Sequence, residues 1–221
     1  MTTQQQNYIE QIDQLVAQHH AKDVTGHDYY HIKRVHNLAT HLQSLEGGDL
    51  FLIQAASLLH DYADFKLTDD IEHAHQDLRQ ALTDFGIDRT TINQLFHIIA
   101  QTSFKGANVD TTPDSIEAQI VQDADRIDAL GAIGIARTFA YGGAKNSPIH
   151  HPDQAPVQHD TFEQYKSSRS SSINHFYEKL LLLKDRINTP AAKHIAQQRH
   201  DFMLAYLEQF HQEWEGTTVA T

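Results

Sequence analysis

No cysteine occurs in the 221 residues. That removes disulfides, thiolate zinc sites, iron–sulfur clusters and a cysteine nucleophile, and makes a reducing cytoplasm the expected compartment. No stretch approaches the roughly 18 uninterrupted apolar residues of a membrane span. The opening MTTQQQNYIEQIDQL carries neither the basic nor the apolar region of a secretory signal, so a soluble protein with no membrane partner is expected. Cations are scarce: 17 Lys and Arg against 29 Asp and Glu leave a formal charge of -12. That is the wrong sign for gripping a nucleic-acid polymer, so any phosphate must be drawn by a local feature. Val/Thr-rich alternation is also rare, which argues against sheets.

The sequence does have histidine, 17 of them, and helical periodicity almost throughout. Tyr8, Ile9, Ile12, Leu15 and Val16 form one apolar stripe, and Ile32, Val35, Leu38, Ala39, Leu42 and Leu45 a second, stopped by Gly47-Gly48. Asp49 reads as the cap of a strongly apolar helix, LFLIQAASLLHD. Asp69 with Glu72 opens another helix. Thr112-Pro113 starts one through SIEAQIVQDADRIDAL, in which Ile120, Val121, Ala124, Ile127 and Ala129 read as buried. Thr161 with Gln164 forms a capping box, and Thr189-Pro190 starts a last helix ending near Trp214. Residues 141–160 hold three of the five prolines and a Gly pair, and read as a functional loop, a candidate lid. With no repeat and no linker, residues 1–221 read as a single all-α domain: a core over about 20–130, the loop at 141–160 and helices over 161–214. Phe51, Phe96, Phe139 and Trp214 fit core packing better than a base-stacking platform.

His-Asp occurs four times, at His27, His60, His159 and His200, where chance placement of 17 His and 20 Asp gives about one or two, so the dipeptide alone says little. Only His60-Asp61 ends a strongly apolar helix, which delivers an ionisable pair from a buried element, and a metal offsets the cost of burying both groups. His31, on the first turn of HDYYHIKRV, and Asp125, beside buried Ala124, are candidate companions. Two imidazoles and two carboxylates suit Mn²⁺, Mg²⁺, Fe²⁺, Co²⁺, Ni²⁺ or Zn²⁺. The duller readings are a satisfied histidine at a helix end for His60 and a solvated carboxylate paired with Arg126 for Asp125. His27 reads as a capping or packing residue, and His36 and His41 as surface or supporting ones.

His31, His60-Asp61 and Asp125, in that order, resemble the H…HD…D signature of the HD-domain metal-dependent phosphohydrolases. The flanking HDYYHIKRV, LLHDYADFK, SFKG, VQDADRIDALGAIGIAR and YGGAKNSPIH are similar to its compact bacterial YedJ/YpgQ-like branch, over roughly residues 20–160. The resemblance implies an all-α HD-domain helical bundle with His31, His60, Asp61 and Asp125 as metal ligands. It implies one divalent ion, Mn²⁺ favoured, and hydrolysis of a phosphoester or phosphoanhydride of a nucleotide or similar small phosphorylated metabolite, with pyrophosphate release from nucleotides among the outcomes. Asp64, one helical turn beyond Asp61, stands where related HD nucleotidases carry a catalytic acid, usually Glu. Lys66 is expected to act beside it, and Lys105, Arg126 and Lys145 are the candidate phosphate-binding cations. Two other readings stay open: a di-iron oxygenase recruiting His73, His75 or His97, and a sensor that keeps the metal box without turnover. Neither the appended motif of cyclic-di-GMP HD proteins nor the synthetase domain of the alarmone enzymes is present.

Overall fold

A computed structural model describes residues 1–21, 28–63, 70–102, 111–157 and 170–217. Among these every regular element is a helix: α1 (Thr3–His19), α2 (Tyr29–Glu46), α3 (Leu50–Leu59), α4 (Ile71–Asp84), α5 (Arg89–Ala100), α6 (Ile116–Asp128), α7 (Gly131–Ala144), α8 (Ser172–Glu178), a 3₁₀ segment (Leu180–Arg186) and α9 (Pro190–Glu215). Short oxygen-bearing side chains start most of them. Thr2, Asp28, Asp49, Asp70, Asp88, Ser115 and Ser171 each accept a backbone N–H of the first turn, which satisfies donors that helix geometry orphans.

The apolar stripes meet in one core. Ile12 and Val16 of α1, Ile32, Val35, Ala39 and Leu42 of α2, nearly all of α3, and Ile120, Val121, Ala124 and Ile127 of α6 are buried together. Each fully buried aliphatic side chain contributes about 1.5–3 kcal/mol relative to exposure, so α3, apolar on all sides, sits at the centre with α1, α2, α5 and α6 around it. Its C-terminal end is therefore fixed in the interior, where His60 and Asp61 follow.

Several boundaries differ from the sequence reading. Asp70, not Asp69, caps α4, and Ser115, not Thr112, caps α6, because in each case a second capping residue lies nearer the first apolar position. The expected loop at 141–160 starts late, since α7 runs through Ala144 and Lys145 is its C-cap. Thr189 does precede Pro190 at the start of α9, but its hydroxyl donates to Asp123 instead of capping. Leu45 and Trp214 are exposed, at 59% and 49%; Trp214 stacks on Phe210 at the surface. The capping box at Thr161 lies outside the described residues.

Glycine is required where α6 turns into α7. Gly131 has φ +70°, and a Cβ there would lie 3.0 Å from Cγ of Arg199, whose guanidinium donates to the Ile127 carbonyl at the end of α6. The other tie on α6 is Asp123, fully buried, whose two carboxylate oxygens accept from the N–H and side-chain amide of Asn188 and from the N–H and hydroxyl of Thr189, each at 2.8 Å. Burial pushes its carboxyl upward, with these bonds opposing. Asp123→Ala strands four donors in the interior, so a loss of about 3–5 kcal/mol is expected, read as a lower urea midpoint at unchanged m-value.

Candidate metal centre

Four side chains from three helical segments converge on one point. His31 lies in the first turn of α2, its backbone N–H held by Asp28, so its ring leaves the helix start toward the interior. His60 and Asp61 follow α3 directly, and Asp125 projects from the last turns of α6. The Nε2 atoms of His31 and His60 are 3.2 Å apart. His31 Nε2 lies 3.3 Å from Asp61 Oδ2 and 3.5 Å from Asp125 Oδ1; His60 Nε2 lies 3.5 Å from Asp61 Oδ1 and 3.6 Å from Asp125 Oδ1. His31, His60 and Asp61 are buried, whereas the Asp125 side chain is 27% exposed and marks the open side.

The protons explain why these atoms gather. His60 Nδ1 is 2.9 Å from the Ser57 carbonyl, which can only accept, so Nδ1 carries the hydrogen. His31 Nδ1 donates in the same way to Asp128 Oδ2 at 2.7 Å. In the neutral rings both Nε2 atoms then carry lone pairs, turned toward each other and toward the carboxylates of Asp61 and Asp125. Such a set repels itself unless a cation sits in it. Donors about 2.0–2.2 Å from a common ion stand roughly 3.0–3.5 Å from one another, close to the 3.2–3.6 Å seen here, so His31, His60 and Asp125 fit a divalent cation that takes mixed N and O ligands, with Asp61 beside them turning one oxygen to each imidazole. A proton is the alternative cation. Burial resists charging His60, but the Asp61 charge and then the Asp125 hydrogen bond outweigh it and push the imidazole up to about 9. Burial likewise opposes the ionised Asp125, yet its bond to His60 and the His60 charge hold the carboxyl well below the usual range.

Asp128, absent from the sequence-based candidates, proves to be part of the site. It is buried and accepts from His31, from Nε and Nη2 of Arg34 (2.8 and 3.0 Å) and from Nη1 of Arg137 (3.0 Å). These bonds overcome burial and keep its carboxyl well below the ordinary value. The available signal was its place one turn after Asp125 and next to buried Ile127.

The other sequence candidates fall elsewhere. Arg126 is buried, and its terminal nitrogens donate to the Arg186 carbonyl and to Thr111 Oγ1; burial pushes its guanidinium down to about 10. Lys145 is exposed, with Nζ 5.7 Å from the centre of the Tyr141 ring. His36 is half-buried, with Nδ1 3.3 Å from both the Gln54 carbonyl and Ser57 Oγ. His73 pairs with Asp77, His97 with Asp114, and His75 packs edge-on against Phe96. Among the described residues, His31, His60 and Asp125 are the one group of three or more His, Asp or Glu side chains whose donor atoms all lie within 4.8 Å of one another. Asp64, Lys66, Lys105 and His27 lie outside the described residues.

Comparison with known proteins gives a consistent picture. The HD domain family matches residues 28–130, an interval that contains all four converging side chains. The uncharacterized protein YpgQ of Bacillus subtilis is 36% identical over 198 residues, 89% of each chain. The crystal structure of YpgQ in complex with ADP superposes with a TM-score of 0.75 at 37% identity, covering 95% of this chain and 100% of that one. A Lactobacillus plantarum protein superposes with a TM-score of 0.87 at 38% identity (98% and 99% covered), and an HD-superfamily hydrolase from Bacillus thuringiensis with 0.74 at 43% identity (96% and 98% covered). With the fold, the ordered H…HD…D side chains and these relatives in agreement, the chain belongs to the HD-domain family.

Proposed function

We propose that the chain is a single-domain, cytoplasmic, metal-dependent phosphohydrolase that cleaves a phosphoester or phosphoanhydride of a nucleotide or similar small phosphorylated metabolite. The observation that carries this reading is the cluster of His31, His60, Asp61 and Asp125, the first three buried and Asp125 partly exposed. The ADP bound by YpgQ supports a nucleotide as the substrate class.

In this reading His31, His60, Asp61 and Asp125 hold one divalent ion, Mn²⁺ favoured. Bound there, the ion lowers the pKa of a coordinated water and polarises a phosphoryl oxygen. The two carboxylates would offset its charge. Asp64, three residues after Asp61 in the sequence, would take or return the proton of the attacking water, with Lys66 the second catalytic candidate. Lys105 and Lys145 supply the positive charge that a phosphate needs on a chain of net charge -12. Arg126, with both terminal nitrogens committed to protein oxygens, holds α6 in place instead.

Protein stripped with chelator and given Mn²⁺ with nucleoside mono-, di- and triphosphates is expected to release phosphate or pyrophosphate only when metal is present; no product from any nucleotide would remove the reading. Asp61→Ala is expected to abolish this activity while keeping the helical circular dichroism. Asp64→Ala should retain Mn²⁺ binding and lose at least about 10²-fold in kcat.

The proton held by His60 gives an independent check. With its imidazole at about 9 in the metal-free protein, His60 is protonated at pH 7 and must be neutral to serve as a ligand. Metal uptake at pH 7 is therefore expected to release about one proton per ion, and affinity to climb close to tenfold per pH unit up to about 9. Calorimetric titration in buffers of different ionisation enthalpy reads both, and uptake without proton release would contradict the proton placement.

A further inference from the structure

The two imidazoles are oriented by different devices. His60 is held by its own turn, since the Ser57 carbonyl that accepts its Nδ1–H lies three residues earlier. Nothing on α2 does this for His31. Its Nδ1 is met from across the interface by Asp128, 97 positions away in sequence. Without that acceptor the ring could carry its hydrogen on Nε2 instead, donate to Asp61 or Asp125, and close the cluster with an internal hydrogen bond.

The anchoring of Asp128 is equally specific. Arg34 stands one turn after His31 on α2, and Asp128 one turn after Asp125 on α6, so two i, i+3 pairs face each other. His31 meets Asp125 at 3.5 Å and Asp128 at 2.7 Å, while Arg34 grips both oxygens of Asp128 and α7 adds Arg137. A shift of either helix along its axis breaks the ligand pair and the clamp together.

We propose that Asp128 is the positioning residue of the centre: with Arg34 and Arg137 fixing its carboxylate, it holds His31 as the Nδ1–H tautomer and leaves Nε2 bare toward the donor cluster. This rests on the reading of that cluster as a metal site. Outer partners of this type are typically worth 10–100-fold in metal affinity.

The test compares two buried carboxylates on the same helix. Asp123 ties α6 to Asn188 and Thr189 and touches no ligand. Asp123→Asn and Asp128→Asn are both expected to lower the Tm, but only Asp128→Asn should weaken Mn²⁺ binding by 10–100-fold. Nitrogen-15 NMR of metal-free protein adds a readout that mere destabilisation does not move. In wild type His31 should show the Nδ1–H tautomer, and in Asp128→Asn a mixture. Should Asp128→Asn fail to fold, Arg34→Gln leaves the carboxylate in place with a weaker hold and should still reduce Mn²⁺ affinity several-fold. Wild-type Mn²⁺ affinity in Asp128→Asn or in Arg34→Gln, or an unchanged His31 tautomer in Asp128→Asn, overturns the proposal. Failure of wild type itself to bind Mn²⁺ would instead remove the metal reading, while the tautomer measurement would still decide what Asp128 does.

Discussion

Two histidine Nε2 atoms 3.2 Å apart inside a protein are the constraint around which the rest of this chain is arranged. Each ring has already given its Nδ1 hydrogen to an acceptor, and the nearest other groups are carboxylates. An interior normally avoids such a concentration of acceptors, because an unpaired buried polar group costs free energy and an unpaired charge costs more. A cation, whether a proton or a metal ion, offsets that cost, and the fold holds His31, His60, Asp61 and Asp125 side by side. The apolar helix α3 drives its own end into the core and carries His60 and Asp61 with it. Capping by Asp28 fixes where α2 begins and therefore where His31 emerges.

Helix α6 is the strut of the site. Its apolar face packs into the core, yet three carboxylates in six residues leave that helix in three different roles. Asp123 joins it to the start of α9, Asp125 faces the donor cluster, and Asp128 meets His31 and two arginines. Stability and chemistry are thus carried by neighbouring residues of one type, and only their partners tell them apart. The same holds for the cations: Arg34 and Arg126 both reach protein acceptors.

How much of this could be read beforehand follows from how local each signal is. The cap Asp49, the helix start at Pro190, the stripe of α1 and the apolar run of α3 are local, and they stand where the sequence places them. Asp69 and Thr112 were displaced by Asp70 and Ser115, since adjacent capping residues compete and only the packing of the helix decides. Trp214 is 49% exposed near the end of α9, packed against Phe210 and His150 instead of entering the core, which an aromatic residue type alone does not reveal. His31, His60, Asp61 and Asp125 were legible as an ordered, spaced motif, and the structure brings them together. Asp128 and Arg34 were not, because a carboxylate in an acid-rich stretch gives no local sign of which helix it faces.

The central claim is that these four donors enclose a single cation. Anomalous scattering at the manganese edge from crystals grown with Mn²⁺ tests it most directly. One peak is predicted per chain, about 2.0–2.3 Å from Nε2 of His31, Nε2 of His60 and a carboxylate oxygen each of Asp61 and Asp125. A peak bound elsewhere, or no peak at this cluster with Mn²⁺ in excess, would contradict the account.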